Sequence, residues 1–111
     1  MFARLVTFRL KPEAVSRLPR LIEYEILPIL RIQRGFRDLV TLVNHEKSQA
    51  IGISIWNNKA NAEAYNQTSY AEVLKALSLV MDGSPAVETL EVGAFDIANS
   101  TFYNKALGKG A

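Results

Sequence analysis

Residues 51–65 read Ile-Gly-Ile-Ser-Ile-Trp-Asn-Asn-Lys-Ala-Asn-Ala-Glu-Ala-Tyr, and this stretch changes character in its middle. Isoleucine alternates with a small residue as far as Trp56, and this period of two predicts a β-strand with one buried face. From Asn57 onward the chain is rich in Asn, Ala, Glu and Lys, which is typical of the start of a helix. Trp56, the single tryptophan, stands at the junction and is either core filling or part of a site there.

The alternation on either side of this stretch predicts three more strands. Phe2–Leu10 is the first, and Phe36–Asn44 is the second. The polar link 45–48 joins the second strand to Gln49–Trp56 in a hairpin. The fourth strand is predicted over residues 86–97, after the turn signal Asp-Gly-Ser-Pro at 82–85.

Helices are predicted over residues 12–33 and 59–81, the second with an interruption near residues 67–69. Pro12 suits the first turn of a helix, where its missing N–H has no partner. Pro19 and Pro28 each remove an interior hydrogen bond, so the first helix either bends twice or consists of two shorter segments. Gly35 stands where a glycine with positive φ is expected to end that helix.

The element order β-α-β-β-α-β predicts a ferredoxin-like α+β fold, a four-stranded antiparallel sheet with helices on one face. We predict one domain over residues 1–98 and a C-terminal tail over residues 99–111, which contains Phe102 and Tyr103. Apolar side chains are also expected on the opposite face of the sheet, among them those of Leu5, Val43, Leu90 and Val92. Because an apolar sheet face in water is an association site, we expect a second copy of the chain to cover it.

Composition excludes several classes of protein. The chain has 111 residues and a net charge of +2, which is too small a bias to indicate a nucleic-acid partner. It contains no cysteine, so disulfides and thiolate chemistry are excluded. The N-terminal residues carry arginines within their apolar run and lack a signal-peptide core, and no apolar stretch is long enough to span a membrane. The sequence predicts a soluble cytoplasmic protein.

Three short motifs resemble the antibiotic biosynthesis monooxygenase-like (ABM) domains of the dimeric α+β barrel superfamily. The first strand leads into Lys-Pro-Glu at 11–13, and the first helix closes on the run from Pro28 to Gly35 and Phe36. The third strand ends on Trp56 and is followed by the Ala-rich residues 57–65. The resemblance extends over residues 2–97, and it supports the fold more directly than any activity.

The resemblance implies a homodimer whose two sheets face one another, with a ligand pocket between each sheet and its own helices. Trp56 would then lie beside the pocket, with Asn57, Tyr65 and Tyr70 near the polar groups of a ligand and Tyr24 as a further candidate. A tyrosine hydroxyl can orient a phenol or a quinone by hydrogen bonding. The alternative, that these tyrosines pack with their hydroxyls at the surface, stays open.

Oxidative degradation of heme, one activity of the family, is disfavoured. Members with that activity use a first-strand Asn, a helix Trp and a downstream helix His that ligates the iron. The strand Phe2–Leu10 has no Asn, Tyr65 stands nearest the Trp position, and the ligand position falls near Lys75. A protonated lysine cannot ligate iron, so heme degradation is improbable. We also expect no cofactor and no metal.

His45, the one histidine, falls in the predicted hairpin link. A solvated loop histidine is favoured there over a general base, since no spaced cluster of ligands or acid–base partner accompanies it. Four arginines in the first helical region are interpreted as part of a solvated helix face and not as a nucleic-acid surface. Acidic residues lie between them in the sequence, and no aromatic residues accompany them on which bases could stack. The four arginines are Arg17, Arg20, Arg31 and Arg34.

The sequence therefore predicts a small homodimeric protein that binds a hydrophobic or aromatic small molecule. One interpretation is a cofactor-independent monooxygenase of ABM type, an oxidoreductase in which the substrate itself supplies electrons to dioxygen. The other is a non-catalytic ligand-binding or stress-response barrel, which the lack of an acid–base pair favours. No residue is predicted to be catalytic.

Overall fold

A computed structural model describes residues 1–95 of the chain. Strands β1 (Phe2–Leu10), β2 (Phe36–Asn44), β3 (Gln49–Trp56) and β4 (Met81–Glu91) form one antiparallel sheet in the order β2-β3-β1-β4. Helical residues 12–31, named α1 as a whole, lie between β1 and β2, and helices α2 (Lys59–Thr68) and α3 (Tyr70–Leu77) lie between β3 and β4. The predicted ferredoxin-like α+β fold is confirmed.

The bounds of the first three strands agree with the prediction, but the bounds of β4 were wrong. This strand begins at Met81 and ends at Glu91, and the predicted strand end at residue 97 lies outside the described residues. The turn signal at residues 82–85 is a bulge within the strand, because Asp82 pairs with Arg9 and Ala86 pairs with Thr7. Gly83 takes the positive φ of 76° that this irregularity requires.

The prolines of α1 divide it without breaking it. The segments are a 3₁₀ turn over Pro12–Arg17, an α turn over Leu18–Leu21, a π turn over Ile22–Ile26 and an α segment over Leu27–Arg31. The 3₁₀ segment and both α segments have their proline in the first turn, where the missing N–H has no helical partner. The chain therefore stays helical from residue 12 to residue 31, and its geometry changes near each proline.

The turn after α1 brings β2 close to α2. Gly35 has a φ of 81°, as predicted for this position, and its carbonyl accepts a hydrogen bond of 2.8 Å from the backbone N–H of Asn57. A Cβ atom on Gly35 would collide with the side chain of Asn61 in α2. Only glycine meets both demands at this point, so Gly35 fixes the distance between the two elements.

The helix-covered face of the sheet is made by alternate residues of each strand. Arg4 in β1 pairs with Ser54 in β3, and Val6 pairs with Gly52, so these side chains share the face on which the helices lie. Phe8 and Leu10 continue that row and are almost fully buried. The core lies between this face and the three helical segments.

The isoleucines of β3 lie on the opposite, open face of the sheet. Ile53 pairs with Leu5 on one side and with Val40 on the other, and Ile51 pairs with Leu42. Leu42 is 50% exposed and Leu90, on the same face in β4, is 46% exposed. The predicted apolar character of this face is present. Val43, which was also assigned to it, was placed wrongly, because Val43 pairs with Ala50 on the helix-covered side.

Candidate functional site

A cleft lies between the helices and the sheet, and it is the candidate site. It encloses about 460 Å³ including its open mouth, but the centre of a water molecule can reach only about 40 Å³ of it. That space suits a few water molecules. An aromatic ligand would need the wall side chains to move apart, an adjustment that proteins commonly make on binding.

Most of the cleft wall is apolar, and half of the residues that line it come from the helices. Ile22 and Ile26 project into it from the π turn of α1, and Val73 and Leu77 line it from α3. In the π turn the N–H of Leu27 donates to the carbonyl of Ile22, five residues back. The next residue is Pro28. In a regular α turn the ring of a proline clashes with the carbonyl four residues earlier, and the wider π turn avoids this clash. The π turn therefore accommodates this proline and shapes the wall of the cleft.

The floor of the cleft is the part of β3 where small residues alternate with isoleucine. Gly52 and Ser54 face the helices there. A Cβ atom added to Gly52 would meet no other atom within 4 Å, so the space above this glycine is empty. The small residues of the Ile-Gly-Ile-Ser-Ile run thus leave the room that the cleft occupies.

One end of the cleft is polar and is built around Arg4. The Arg4 side chain is 2% exposed, and its Nη2 donates a hydrogen bond of 2.7 Å to Oδ1 of Asn66 in α2. The guanidinium carbon lies 4.3 Å from the ring centroid of Tyr70 and 5.2 Å from that of Tyr65. Both distances are within the range of cation–π attraction, so the two rings hold the guanidinium in place.

The two tyrosines belong to different helices and meet at this end of the cleft. Tyr65 in α2 and Tyr70 in α3 have ring centroids 5.9 Å apart, because the helices change direction at Ser69. Both side chains are buried, and the Tyr70 hydroxyl has no hydrogen-bond partner among the described residues. Burial raises the pKa of both phenols, and the nearby Arg4 charge opposes that rise only in part. Both hydroxyls therefore stay protonated at neutral pH.

Trp56 lies behind Tyr65 and does not itself line the cleft. Its indole stacks on the Tyr65 ring with centroids 4.8 Å apart, and its Nε1–H donates a hydrogen bond of 2.9 Å to Oγ of Ser54. Phe36 packs edge-on against its other side at 5.6 Å. Trp56 is fully buried, so it acts as the support that holds Tyr65 against the cleft.

The structure separates the other predicted site residues from this cleft. Asn57 is exposed at the turn into α2, where its Oδ1 accepts a hydrogen bond of 2.9 Å from Arg37. Tyr24 is 62% exposed on α1 and packs under Arg20. His45 is exposed in the turn between β2 and β3. Of the predicted residues, Tyr65 and Tyr70 are those that the structure brings together at the cleft.

The sequence reasoning did not identify Arg4 as a site residue, although the signal was present. Arg4 shares the period-two row of β1 with Val6, Phe8 and Leu10, which predicts that it faces the core. A charged residue in a core-facing row is the informative exception to burial rules. Asn66 carries no comparable signal, because its role depends on how α2 lies across β1.

Residues 1–95 contain no group of three or more His, Asp or Glu side chains that could hold a metal ion. In the same part of the chain no helix is both long and apolar enough to cross a membrane. The chemistry available at the cleft is therefore that of one guanidinium, two phenols, the hydroxyls of Ser54 and Thr41 and an apolar wall.

No protein-family model matches the chain, and no curated protein matches it. Solved structures do match it. A monooxygenase from the gene ActVA-Orf6 of Streptomyces coelicolor, in complex with the ligand nanaomycin D, superimposes with a TM-score of 0.70 at 20% identity, over 85% of this chain and 89% of that one. A protein of unknown function from Nitrosomonas europaea, NE2512, superimposes with a TM-score of 0.68 at 19% identity, over 86% of this chain and 91% of its own.

A third structure, called an antibiotic biosynthesis monooxygenase, superimposes with a TM-score of 0.65 at 14% identity. The alignment covers 85% of this chain and 100% of that one. At these identities the likeness concerns the fold and not the activity. The strand order, the helical layer and these superpositions together show that the chain has the fold of the ABM-type α+β domains.

Proposed function

We propose that this protein binds an aromatic small molecule in the cleft between its helices and its sheet. The observation that carries the proposal is the composition of the cleft, which is mostly apolar and has its charged and phenolic groups together at the end formed by Arg4, Tyr65 and Tyr70. Pockets of this kind bury the rings of a ligand and fix its orientation through a few polar groups. The ligand of the superimposable Streptomyces coelicolor protein, nanaomycin D, supports the choice of ligand class.

As an enzyme the protein would oxidise its ligand with dioxygen and without a cofactor. For a naphthol with a C–H bond para to its hydroxyl, the balanced reaction consumes one dioxygen and yields a naphthoquinone and one water. One oxygen atom becomes the new carbonyl and the other leaves as water, while the C–H and O–H bonds of the naphthol are lost. The protein would contribute orientation and a dry cavity, since the electrons come from the substrate.

A non-catalytic binding protein is the second candidate, and the titratable groups of the cleft favour it. Among the described residues, those that line the cleft include no carboxylate and no imidazole. Its two phenols have a raised pKa and remain protonated near neutral pH. Nothing on the cleft wall can therefore act as a general base at that pH, so catalysis would require a substrate that ionises by itself.

We propose further that the protein is a homodimer formed through the open face of the sheet. Leu42 and Leu90 are about half exposed on that face, and Val40 is 40% exposed. Val40 and Leu42 lie on one edge strand, β2, and Leu90 lies on the other, β4. Between them the same face carries Ile53 of β3 and Leu5 of β1, so the apolar surface extends across the sheet. A second copy of the same face would remove this surface from water.

Titration of the protein with a panel of phenols, quinones and heme, followed by Trp56 fluorescence and oxygen uptake, tests the function. Because the Tyr65 ring, which is stacked on Trp56, lies between the indole and the cleft, a ligand in the cleft should change Trp56 emission in a saturable way. Saturable quenching with oxygen uptake and one new quinone per dioxygen would support the enzyme. Quenching without oxygen uptake would support the binding protein. Emission that ignores every phenol and quinone would contradict both.

A further inference from the structure

We propose that the Arg4 end of the cleft is a subsite for an anionic oxygen, so that the aromatic ligand binds as a phenolate or enolate. An ionised hydroxyquinone is the chemical class that fits. The inference rests on the proposed function, because it concerns the ligand of the same cleft. Beyond the proposed function, the inference states that the ligand is negatively charged and that Arg4 and Tyr70 are the two residues that select it.

The first argument is the charge of Arg4. Its side chain is 2% exposed, and among residues 1–95 no carboxylate lies within ion-pair distance of it. A buried cation is costly unless an anion or hydrogen-bond acceptors compensate it. The contacts that do compensate it are one amide oxygen and two ring faces. A guanidinium has five N–H donors, so the Asn66 hydrogen bond uses only part of its capacity.

The second argument is the hydroxyl of Tyr70. This oxygen is fully buried beside the Arg4 guanidinium, yet it makes no hydrogen bond of ordinary length and angle within the described residues. Buried hydroxyls without a partner are uncommon, because the cost of removing each from water is then offset by no hydrogen bond. The Tyr70 ring lines the cleft and also lies 4.3 Å below the guanidinium carbon of Arg4. A ligand oxygen at this end of the cleft could accept hydrogen bonds from both groups.

The third argument is that the one carboxylate that shares a cleft with Arg4 among the described residues pairs with a lysine instead. Arg4 also borders a second cleft on the β4 side of the sheet, which contains Glu63. The Glu63 carboxylate is exposed and lies 3.7 Å from the ammonium group of Lys59. No group on the main cleft wall can take a proton from a ligand at neutral pH, so the ligands that suit Arg4 best are those that are already ionised in water.

Isothermal titration calorimetry at pH 7.5 with two naphthoquinones tests the subsite. The ligand 2-hydroxy-1,4-naphthoquinone is an anion at this pH, and 2-methoxy-1,4-naphthoquinone has the same rings but cannot ionise. We expect the wild-type protein to bind the hydroxy compound at least about tenfold more tightly than the methoxy compound. Arg4→Gln should abolish this preference, because the hydroxy compound then loses the charge that distinguishes it from the methoxy compound. Arg20→Gln is the matched control, because it makes the same charge change on the exposed face of α1. This variant should keep the preference for the hydroxy compound.

Because Arg4 is buried, Arg4→Gln could fail to fold, and Tyr70→Phe then tests the subsite independently. The variant removes a hydroxyl without a partner, so the fold should survive, and the affinity for the hydroxy compound should fall about five- to tenfold. Equal affinity of the wild type for the two quinones would overturn the anion subsite and leave the proposed function intact. Binding of neither compound, together with no response to the wider panel, would overturn the proposed function itself. Full retention of the preference in folded Arg4→Gln, or in Tyr70→Phe, would remove that residue from the subsite.

Discussion

The indole of Trp56 and the phenol of Tyr65 stack at a centroid distance of 4.8 Å with their planes 28° apart, and this pair joins the end of β3 to the start of the helical layer. One face of the pair is closed by Phe36 and the other faces the Arg4 end of the cleft. Trp56 is therefore core in its own contacts and part of the site through Tyr65. The expectation that Trp56 itself forms a wall of the pocket is not met in this cleft, which Trp56 reaches only through Tyr65.

Truncation of Trp56 should destabilise the fold strongly. Trp56→Ala removes a fully buried side chain and should lower the free energy of unfolding by about 3–5 kcal/mol, measured by urea denaturation. Trp56→Phe keeps one ring against Tyr65 but loses the hydrogen bond to Ser54, so its loss should be about 1–2 kcal/mol. An alanine variant within about 1 kcal/mol of the wild type would contradict the supporting role of Trp56.

Filling the floor of the cleft should separate ligand binding from stability. In Gly52→Val the new side chain enters space where a Cβ meets no atom within 4 Å, and β-branched residues suit a strand. We expect stability equal to the wild type or higher by about 0.5–1 kcal/mol, because the unfolded chain loses freedom. Affinity for the best aromatic ligand should fall at least about tenfold, measured by calorimetry.

Gly52→Ala is the graded control for this prediction and should give a smaller loss of affinity at similar stability. If Gly52→Val bound the ligand as tightly as the wild type did, the ligand would have to lie outside this cleft. If the variant unfolded, the space above Gly52 would not be open as the structure has it.

The strands and their pairing could be predicted from the sequence because they depend on a period of two and on local turn chemistry. Residues 51–56 illustrate both the success and its limit. Their alternation predicted a strand with one buried face, yet it did not show that the isoleucines turn away from the helices and that Gly52 and Ser54 face them. Which face of a strand the helices cover is decided by the connections of the whole chain.

The site was harder to predict than the fold because it depends on contacts between distant segments. Tyr65 and Tyr70 were identified correctly as neighbours in sequence on a broken helix, but their meeting with Arg4 requires α2 to lie across β1. Asn57 and Tyr24 were chosen for their chemistry alone, and the structure places both at the surface. The π turn at Ile22–Ile26 was not foreseen either, although the two interior prolines predicted irregular geometry in that helix.

Alkaline pH should destabilise the protein through its buried tyrosines. The pKa of Tyr65 and that of Tyr70 are both raised above the ordinary value of 10 by burial, so the unfolded chain ionises first as pH rises. Stability is fully present below about pH 10 and falls above it, by at most about 1.4 kcal/mol per pH unit for each such group. Urea denaturation between pH 8 and pH 11 measures the slope.

Tyr65→Phe should reduce the loss of unfolding free energy per pH unit above pH 10, by at most the amount that one buried phenol contributes. Tyr24→Phe, at an exposed site, is the control and should leave this loss unchanged. Absorbance of the folded protein near 295 nm should show the two buried phenols ionising at a higher pH than the phenols of the unfolded chain do. Ionisation of every tyrosine near pH 10 in the folded state would contradict the burial of this pair.

Substitution of Gly35 should loosen the contact between β2 and α2. Gly35→Ala places a side chain at a φ of 81° and against Asn61, so the free energy of unfolding should fall by about 2–4 kcal/mol. Gly93→Ala, where a Cβ would meet no atom within 4 Å, should change stability by less than about 0.5 kcal/mol. Thermal unfolding of the two variants in parallel checks the difference, and equal melting temperatures would contradict the tight approach at Gly35.

A charge on the open sheet face should dissociate the proposed homodimer. Leu42→Glu puts a carboxylate on an apolar surface that a second copy would bury, and an unpaired buried charge weakens association by several kcal/mol. Sedimentation velocity at micromolar concentration should show a dimer for the wild type and a monomer for the variant. Ile32→Glu is the matched control, because Ile32 is 82% exposed and lies beyond α1, away from the sheet. A wild type that sediments as a monomer would contradict the homodimer, and a dimer that survives Leu42→Glu would place its interface on another surface.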